Sequence, residues 1–188
     1  MTITLLARKG GVGKSTLSIL LHEAFRQANK SVSIRDWDPQ GTSNRALSFI
    51  NDSGVSPKQS DILIYDCPPS LDHTATAAGV MAADIALVVT TPSPADLWEA
   101  DNAARFAREK NPRAILRVVF NRVRRTTVLG RLIEESAKQI SAPSLNTRIS
   151  ARECYQHAIG QGWKALDAPA REEVLLLTAD VLALMALR

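Results

Sequence analysis

The chain alternates between short, continuously apolar runs and longer segments in which apolar residues recur every three or four positions. The short runs are rich in Val, Ile and Leu, a pattern typical of strands that helices cover on both faces. They predict strands, the last one weakly, at residues 2–7, 31–36, 61–67, 85–91, 115–121 and 143–149. The segments between them predict helices at residues 14–29, 43–51, 72–83, 95–110, 128–140, 151–160 and 170–187.

The regular alternation of strands and helices determines the predicted fold class. A helix that joins two strands usually brings the second strand back parallel to the first, with the helix packed on the sheet. We therefore predict an α/β fold, with a doubly wound and mostly parallel sheet flanked by helices on both faces. The sequence contains no internal repeat and no linker-like stretch, so we expect a single domain over residues 1–188.

Composition narrows the class of protein further. Of the 188 residues, 45% are hydrophobic and 22% are charged, which is ordinary for a soluble globular domain. No apolar run reaches the roughly 18 residues that indicate a membrane-spanning helix, and the N-terminal sequence lacks the features of a secretory signal. Cys67 and Cys154 are too few for a disulfide framework or a metal cluster, so we expect two free thiols in a cytoplasmic protein.

Positive charge is concentrated in one part of the chain. The net charge is +4, but between Arg105 and Arg131 there are nine Arg and Lys residues and a single acid, Glu109. A basic cluster of this kind indicates a polyanionic partner such as nucleic acid. Charges scattered over solvated helix faces would give the same count, so both interpretations stay open.

The strongest chemical motif is "KGGVGKST", residues 9–16, between the first predicted strand and the first predicted helix. Its glycines allow positive φ and let backbone N–H groups point at an anion, which also meets the positive end of the following helix. We expect Lys14 to bind the β- and γ-phosphates of a nucleotide and Ser15 to bind Mg²⁺. The usual first glycine of such a phosphate loop is replaced by Arg8, whose role the sequence leaves open.

Acidic residues follow two of the other predicted strands. Asp36 and Asp38 lie in "RDWDPQGT" after the second strand, and Asp66 follows the apolar core of the third. The carboxyl ends of parallel strands meet at the ligand crevice of a doubly wound sheet. Carboxylates there can order a metal shell or an attacking water, which phosphoryl transfer requires. Helix capping or turn formation is the alternative role for each aspartate.

In this order, "KGGVGKST", "DWDPQGT" and "DCPPS" resemble the deviant-Walker ATPases of the ParA/MinD family, which are P-loop NTPases. The similarity continues through residues 87–102, 118–123 and 148–167, so it covers nearly the whole chain. The short plasmid-partition members, the ParF-like proteins, are the most similar in length and layout. Fewer residues than usual separate "DPQGT" from "DILIYD", so surfaces that this region contributes in longer relatives are in question.

The resemblance implies roles for the charged residues of the site. Lys9 would cross the interface of an ATP-sandwich dimer and reach the phosphates held by the other subunit, so that hydrolysis depends on dimerisation. Asp38 would orient the attacking water, and Asp36 and Asp66 would order the Mg²⁺ shell through water. Lys9, Lys14 and Asp38 are therefore the predicted catalytic residues. The alternative for Lys9 is a basic residue on an exposed loop without a function in catalysis.

The resemblance also implies where the base of the nucleotide lies. Asn121, at the end of the fifth strand, is the candidate for the adenine edge, with Arg122 and Pro92 near the base. The predicted cofactors are ATP and Mg²⁺. The predicted nucleotide-binding residues are Lys9, Gly10, Gly11, Val12, Gly13, Lys14, Ser15, Thr16, Pro92, Asn121 and Arg122.

Three functions are compatible with such a switch. The first is an ATPase that binds nonspecific nucleoid DNA as an ATP-bound homodimer and positions a cargo, reset by a ParB-like or other activator protein. The second is a MinD-like membrane switch, which requires a basic amphipathic tail, whereas the C-terminal segment carries Glu172, Glu173 and Asp180. The third is a biosynthetic enzyme that uses the same loop.

The basic cluster favours the first function, because Lys and Arg contacts to phosphates give affinity that is independent of sequence. We therefore expect a cytoplasmic, nucleoid-associated protein and do not expect a membrane partner. The candidate DNA-binding residues are Arg117, Arg124, Arg125, Arg131, Arg148 and Arg152.

Overall fold

A parallel β-sheet forms the centre of the molecule. Within residues 1–50 and 59–186, which the computed structural model describes, the sheet has five strands. Their bounds are β1 Thr2–Leu6, β2 Val32–Asp36, β3 Ile62–Asp66, β4 Ile85–Thr90 and β5 Ile115–Phe120. They lie in the order β2-β3-β1-β4-β5, and every pairing is parallel. This architecture confirms the predicted fold class.

Helices occupy the connections between the strands and the C-terminal part of the chain. The helices of the described residues are α1 Lys14–Gln27, α2 Thr42–Phe49, α3 Thr74–Met81, α4 Pro94–Lys110, α5 Val128–Arg131, α6 Ile133–Ala137, α7 Cys154–Gln161 and α8 Ala168–Met185. A short 3-10 turn, Gly162–Ala165, joins α7 to α8. In this part of the chain, no helix is both long and apolar enough to cross a membrane.

Strand β1 marks the point at which the chain reverses its direction across the sheet. It pairs with β3 on one side and with β4 on the other. Helices α1, α2, α7 and α8 pack together on one face, and α3 and α4 pack on the opposite face. Ligands of doubly wound sheets bind outside the carboxyl ends of the strands at such a switch point, which here lies beside β1 and β4.

The strands divide their side chains between two hydrophobic cores. In β4, Ile85, Leu87 and Val89 pack in the core that α1, α7 and α8 cover, whereas Ala86 and Val88 pack in the core that α3 and α4 cover. Each of these side chains is buried. Because both faces of the sheet are covered at β4, this strand is apolar at every position from Ile85 to Val89.

The predicted helix over residues 128–140 is divided in two. The predicted helix 128–140 is the pair of short helices α5 and α6, which meet at Leu132 because its backbone (φ −94°, ψ 23°) leaves helical geometry. Gly130 lowers the helix propensity of this stretch. The predicted helices 43–51 and 170–187 correspond to α2 and α8, but their final residues lie outside the described residues.

The weakly predicted strand 143–149 does not form a ladder with β5. Its contact with β5 is an isolated bridge between Ser144 and Val118, and a second isolated bridge, between Ser150 and Val123, lies just beyond both segments. Between the two bridges the Ile149 N–H still donates to the Phe120 carbonyl at 2.9 Å, but the Thr147 N–H donates to an Asp180 carboxylate oxygen on α8 at 2.8 Å. The sheet therefore ends at β5, and the segment instead ties β5 to α8.

Candidate nucleotide-binding site

The glycine-rich turn between β1 and α1 has the backbone of an anion-binding loop. Gly11 (φ +81°) and Gly13 (φ +96°) adopt left-handed conformations that other residues rarely take. Gly13 is also the N-cap of α1, and a glycine has no side chain with which to cap that helix end. The first N–H groups of α1 are therefore available to an anion, and the helix dipole favours negative charge there.

Asn121, at the carboxyl end of β5, braces this loop. Its Nδ2 donates a 2.8 Å hydrogen bond to the Val12 carbonyl, and the residue is only 5% exposed. A Cβ atom at position 13 would collide with the same amide, so Gly13 is required by space as well as by its φ angle. Asn121, the residue predicted at the adenine edge, thus uses its amide nitrogen for the loop backbone, and its role toward a base stays a prediction.

Lys14 and Asp66 form the buried, charged centre of the site. Lys14 is 6% exposed and Asp66 is fully buried. Burial lowers the pKa of Lys14, although the negative charges of Asp66 and Asp38 oppose this shift. Burial also raises the pKa of Asp66 to about 6, against the opposing effects of the Ser43 and Ser15 hydroxyls. The structure thus brings Lys14, Ser15 and Asp66 together, and their predicted roles toward a nucleotide and Mg²⁺ stay predictions.

The two carboxylate oxygens of Asp66 differ in their hydrogen bonding. Its Oδ2 accepts a 2.5 Å hydrogen bond from the Ser43 hydroxyl of α2. Its Oδ1 is buried and has no hydrogen-bond partner among residues 1–50 and 59–186. A buried carboxylate oxygen without a donor is costly, so a further ligand is expected there. A hydrated Mg²⁺ ion fits this position, since its bound water can donate to Oδ1.

Asp36 and Asp38 shape the loop between β2 and α2. Asp36 accepts hydrogen bonds from the backbone N–H groups of Asp38 and Asn44, each at 3.0 Å. Asp38 accepts one from the N–H of Gln40, also at 3.0 Å. Both aspartates therefore stabilise the turn, which is the alternative role that the sequence left open. Asp38 still lies near enough to Lys14 for its negative charge to oppose the lowering of the Lys14 pKa by burial.

The two cations that precede the glycines are paired with acids on α4. Lys9 Nζ lies 2.6 Å from Asp96 Oδ1, and Arg8 Nη1 lies 3.1 Å from Glu99 Oε2. These contacts give Arg8 a defined partner and place Lys9 beside the first turn of α4. The sequence analysis missed both acids, although they stand in "PSPADLWEA" directly after the fourth strand.

A cleft of about 850 Å³ opens beside the glycine loop at the carboxyl ends of β4 and β5. Its volume lies within the range of small-molecule and cofactor pockets. Arg122, at its edge, has a positive φ of 55°, which is uncommon for a residue with a side chain. Predicted nucleotide-binding residues that line the cleft are Lys9, Gly10, Gly11, Thr16, Pro92, Asn121 and Arg122.

The far wall of the cleft, residues 150–156, is anchored by a single acid on α8. Glu173 accepts hydrogen bonds from the Ser150 backbone (2.9 Å), from Arg152 (2.9 Å) and from the Tyr155 hydroxyl (2.9 Å). Burial acts to raise the pKa of Glu173, but the bonds from Arg152 and Ser150 hold it below its usual value. The sequence analysis did not single out Glu173 for this role.

The six arginines predicted to bind DNA lie in different environments. Arg124, Arg125 and Arg131 are exposed around α5, and Arg131 also donates to the Thr126 carbonyl at 3.2 Å. Arg148 is paired with Glu134 at 3.0 Å, with only 14% of its side chain exposed, and it lies over the Phe120 ring. The remaining two are also engaged: Arg152 with Glu173 and Arg117 with the Leu116 carbonyl.

The fold and this site are those of a phosphate-loop nucleotide-binding domain. More narrowly, the chain belongs to the CobQ/CobB/MinD/ParA nucleotide binding domain family, whose model matches residues 3–163. This membership confirms the resemblance to the ParA/MinD family.

Known proteins resemble the chain over nearly its full length. The maintenance of carboxysome distribution protein A of Halothiobacillus neapolitanus is 26% identical over 192 residues, which cover 90% of this chain and 88% of that protein. The septum site-determining protein MinD of Pyrococcus horikoshii, solved with Mg-ADP, matches with a TM-score of 0.80 at 15% identity, covering 100% and 98% of the two chains. A plasmid partition protein of Borrelia burgdorferi matches with a TM-score of 0.73 at 17% identity, covering 97% of each chain.

Proposed function

We propose that the chain is a ParA-like ATPase that dimerises when ATP is bound, binds nonspecific DNA and positions a cargo. The observation that carries the proposal is the position of Lys9. It directly precedes the glycines, borders the cleft, and has 51% of its side chain exposed. A cation at the edge of the site is available to the triphosphate of a second copy, where it neutralises charge that develops during hydrolysis.

The residues at the carboxyl ends of the strands suit Mg-ATP. The glycine loop and Lys14 would hold the phosphates, and the Ser15 hydroxyl would bind Mg²⁺ directly. Asp36 and Asp66 would order the water around the ion, a role that the unpartnered Oδ1 of Asp66 supports. The ion supplies positive charge to the phosphates and a fixed template for the attacking water.

Asp38 is the proposed water-orienting residue. Its Oδ1 is engaged with the Gln40 backbone, which fixes the carboxylate on the loop after β2. Its electrostatic coupling to Lys14 supports a position close to the phosphates. Slow hydrolysis follows if Asp38 acts only once the dimer and a partner protein have ordered this loop.

The proposed DNA surface is the group of exposed arginines around α5, namely Arg124, Arg125 and Arg131. Arginines that are paired with an acid contribute less to the affinity for DNA, because a guanidinium that already binds a carboxylate must break that contact to reach a phosphate. Arg148 and Arg152 are of this kind. Contacts to backbone phosphates would give nonspecific, salt-dependent affinity for nucleoid DNA.

A ParB-like or other adaptor protein is the proposed activator, and the relatives support a positioning role. The Halothiobacillus neapolitanus relative is named for carboxysome distribution, and the Borrelia burgdorferi neighbour is a plasmid partition protein. The carboxysome relative matches with higher identity over most of both chains. A protein body is therefore the class of cargo that we favour over a plasmid.

A co-sedimentation assay with nonspecific DNA tests this function. We expect the chain to be retained on the DNA with ATP and Mg²⁺, and released with ADP or without nucleotide.

The Lys9→Ala variant should bind nucleotide, remain monomeric and lose its retention on DNA. The variant Arg124→Glu/Arg125→Glu should lose affinity on all DNA sequences and show a shallower salt dependence.

The matched control reverses the same number of charges at the other end of β5. Lys110→Glu/Arg113→Glu changes the exposed last residue of α4 and an exposed residue of the loop before β5, and it should leave DNA retention unchanged. Retention on liposomes in place of DNA would support a membrane switch. Retention on neither surface, with a chain that stays monomeric with ATP, would contradict the proposal.

A further inference from the structure

Lys9 is held by a carboxylate of its own chain. The pair is short, at 2.6 Å, and the Asp96 side chain is only 10% exposed. The other oxygen of Asp96 accepts a 2.6 Å hydrogen bond from the Thr91 hydroxyl, and the Thr90 hydroxyl donates to the Asp96 carbonyl at 3.1 Å. Asp96 is therefore fixed in place, and the half-exposed Lys9 is the partner that can leave.

The position of Asp96 in the fold reinforces this contact. Asp96 lies in the first turn of α4, where the helix dipole stabilises a carboxylate. Glu99, one turn further along the same helix, holds Arg8 at 3.1 Å. Helix α4 thus binds both cations that precede the glycine loop, and it fixes the direction in which this end of the loop points.

We propose that Asp96 is a positioning residue that holds Lys9 at the rim of the cleft in the single chain and yields it to the triphosphate of a second copy. The inference rests on the proposed function, which supplies that second copy. A triphosphate carries more negative charge than one carboxylate, so it outcompetes Asp96 for Lys9, whereas a copy without nucleotide does not. Asp96 thereby makes dimerisation depend on the nucleotide.

The Lys9–Asp96 pair affects the free energy of dimerisation. Two Lys9–Asp96 pairs open when two chains associate, so any change in the free energy of the pair counts twice in the free energy of dimerisation. Asp96→Asn keeps the shape of the side chain and an oxygen that can bond to Thr91, but it removes the charge. We expect this variant to dimerise about fivefold more tightly with a non-hydrolysable ATP analogue and Mg²⁺.

The first measurement uses the nucleotide-free chain and needs no dimer. The NH₃⁺ group of Lys9 is observed by ¹⁵N NMR and assigned by its loss in Lys9→Arg. In the wild-type chain its order parameter should exceed that of the exposed Lys30 and Lys138, and Asp96→Asn should lower it to their level. The control Glu99→Gln releases Arg8 alone and should leave the Lys9 signal unchanged.

The second measurement is sedimentation equilibrium with the analogue. Tighter dimers in Asp96→Asn, and unchanged dimers in Glu99→Gln, support the proposal. An unchanged order parameter for Lys9 in Asp96→Asn, or dimers that are weaker than wild type, overturn it. If every variant and the wild type stay monomeric, the proposed function fails, and the NMR result alone decides whether Asp96 holds Lys9.

Discussion

Asn121 and Gly13 lie in contact across the site, and each limits what the other can be. The amide of Asn121 donates to the Val12 carbonyl, and the absence of a Cβ atom at Gly13 leaves room for that amide. Because the bond joins β5 to the glycine loop, it couples the shape of the loop to the sheet. A buried carbonyl that loses its donor destabilises the folded loop by about 1–3 kcal/mol.

We therefore expect Asn121→Ala to weaken nucleotide binding about tenfold, and to weaken ATP and GTP equally, since the effect acts through the loop. Asn121→Asp, which keeps the size but lacks the donor, should behave in the same way. Dissociation constants for ATP, ADP and GTP measure this. A loss confined to adenine nucleotides would instead restore Asn121 to the base edge.

Burial of Asp66 makes the stability of the chain dependent on pH. The pKa of this carboxyl rises from 3.8 to about 6 on folding, so the folded chain binds the proton more tightly than the unfolded chain. The stabilising contribution of Asp66 is therefore fully present below the unfolded pKa and is lost as the pH rises through about 6.

Comparison with Asp66→Asn isolates this effect in the nucleotide-free chain. We expect the wild type to lose about 1 kcal/mol of unfolding free energy relative to the variant between about pH 5 and pH 7. Urea denaturation at both values measures the difference, with Asp72→Asn as the exposed control. Parallel behaviour of wild type and Asp66→Asn would show that Asp66 does not titrate in this range.

At the scale of elements, the sequence predicted what local pattern determines. The five strands and the helices α1 and α4 follow from continuous apolar runs and helical periodicity, and each begins and ends within a few residues of its predicted bounds. The helix 128–140 and the strand 143–149 differ, because Gly130 weakens a helix and the hydrogen bond from Thr147 to Asp180 interrupts the pairing with β5. Those outcomes depend on neighbours that local pattern does not describe.

The site residues likewise fall into those that local sequence predicts and those that depend on distant contacts. The glycine loop, Lys14 and the aspartates at the carboxyl ends of β2 and β3 are recognisable because these residue types stand at strand ends in a known order. The partners Asp96 and Glu173 are not recognisable, since each is fixed by a contact between distant positions. Lys9 and Asp96 are 87 residues apart, and Ser150 and Glu173 are 23 apart. Such pairs require the fold before they can be found.

At the scale of the whole molecule, the cleft joins three parts of the chain that the proposed cycle links to the nucleotide. The glycine loop follows β1, the α4 acids follow β4, and the arginines around α5 follow β5. All three lie at the carboxyl edge of one parallel sheet. In the proposed cycle, nucleotide bound at this edge is therefore sensed by the dimer contact at Lys9 and by the DNA surface without a long-range change in the sheet.

The proposed cycle predicts that Asp38→Ala separates binding from release. Loss of the water-orienting carboxylate should reduce phosphate release by about a hundredfold or more, while the glycine loop and Lys14 still bind ATP. The variant should form the dimer and stay on DNA after free ATP is removed, whereas the wild type dissociates. Phosphate release and DNA retention are measured together, with Glu109→Ala, an exposed residue at the end of α4, as the control. Wild-type hydrolysis in Asp38→Ala would assign the water to another residue, and retention would then decay as it does in the wild type.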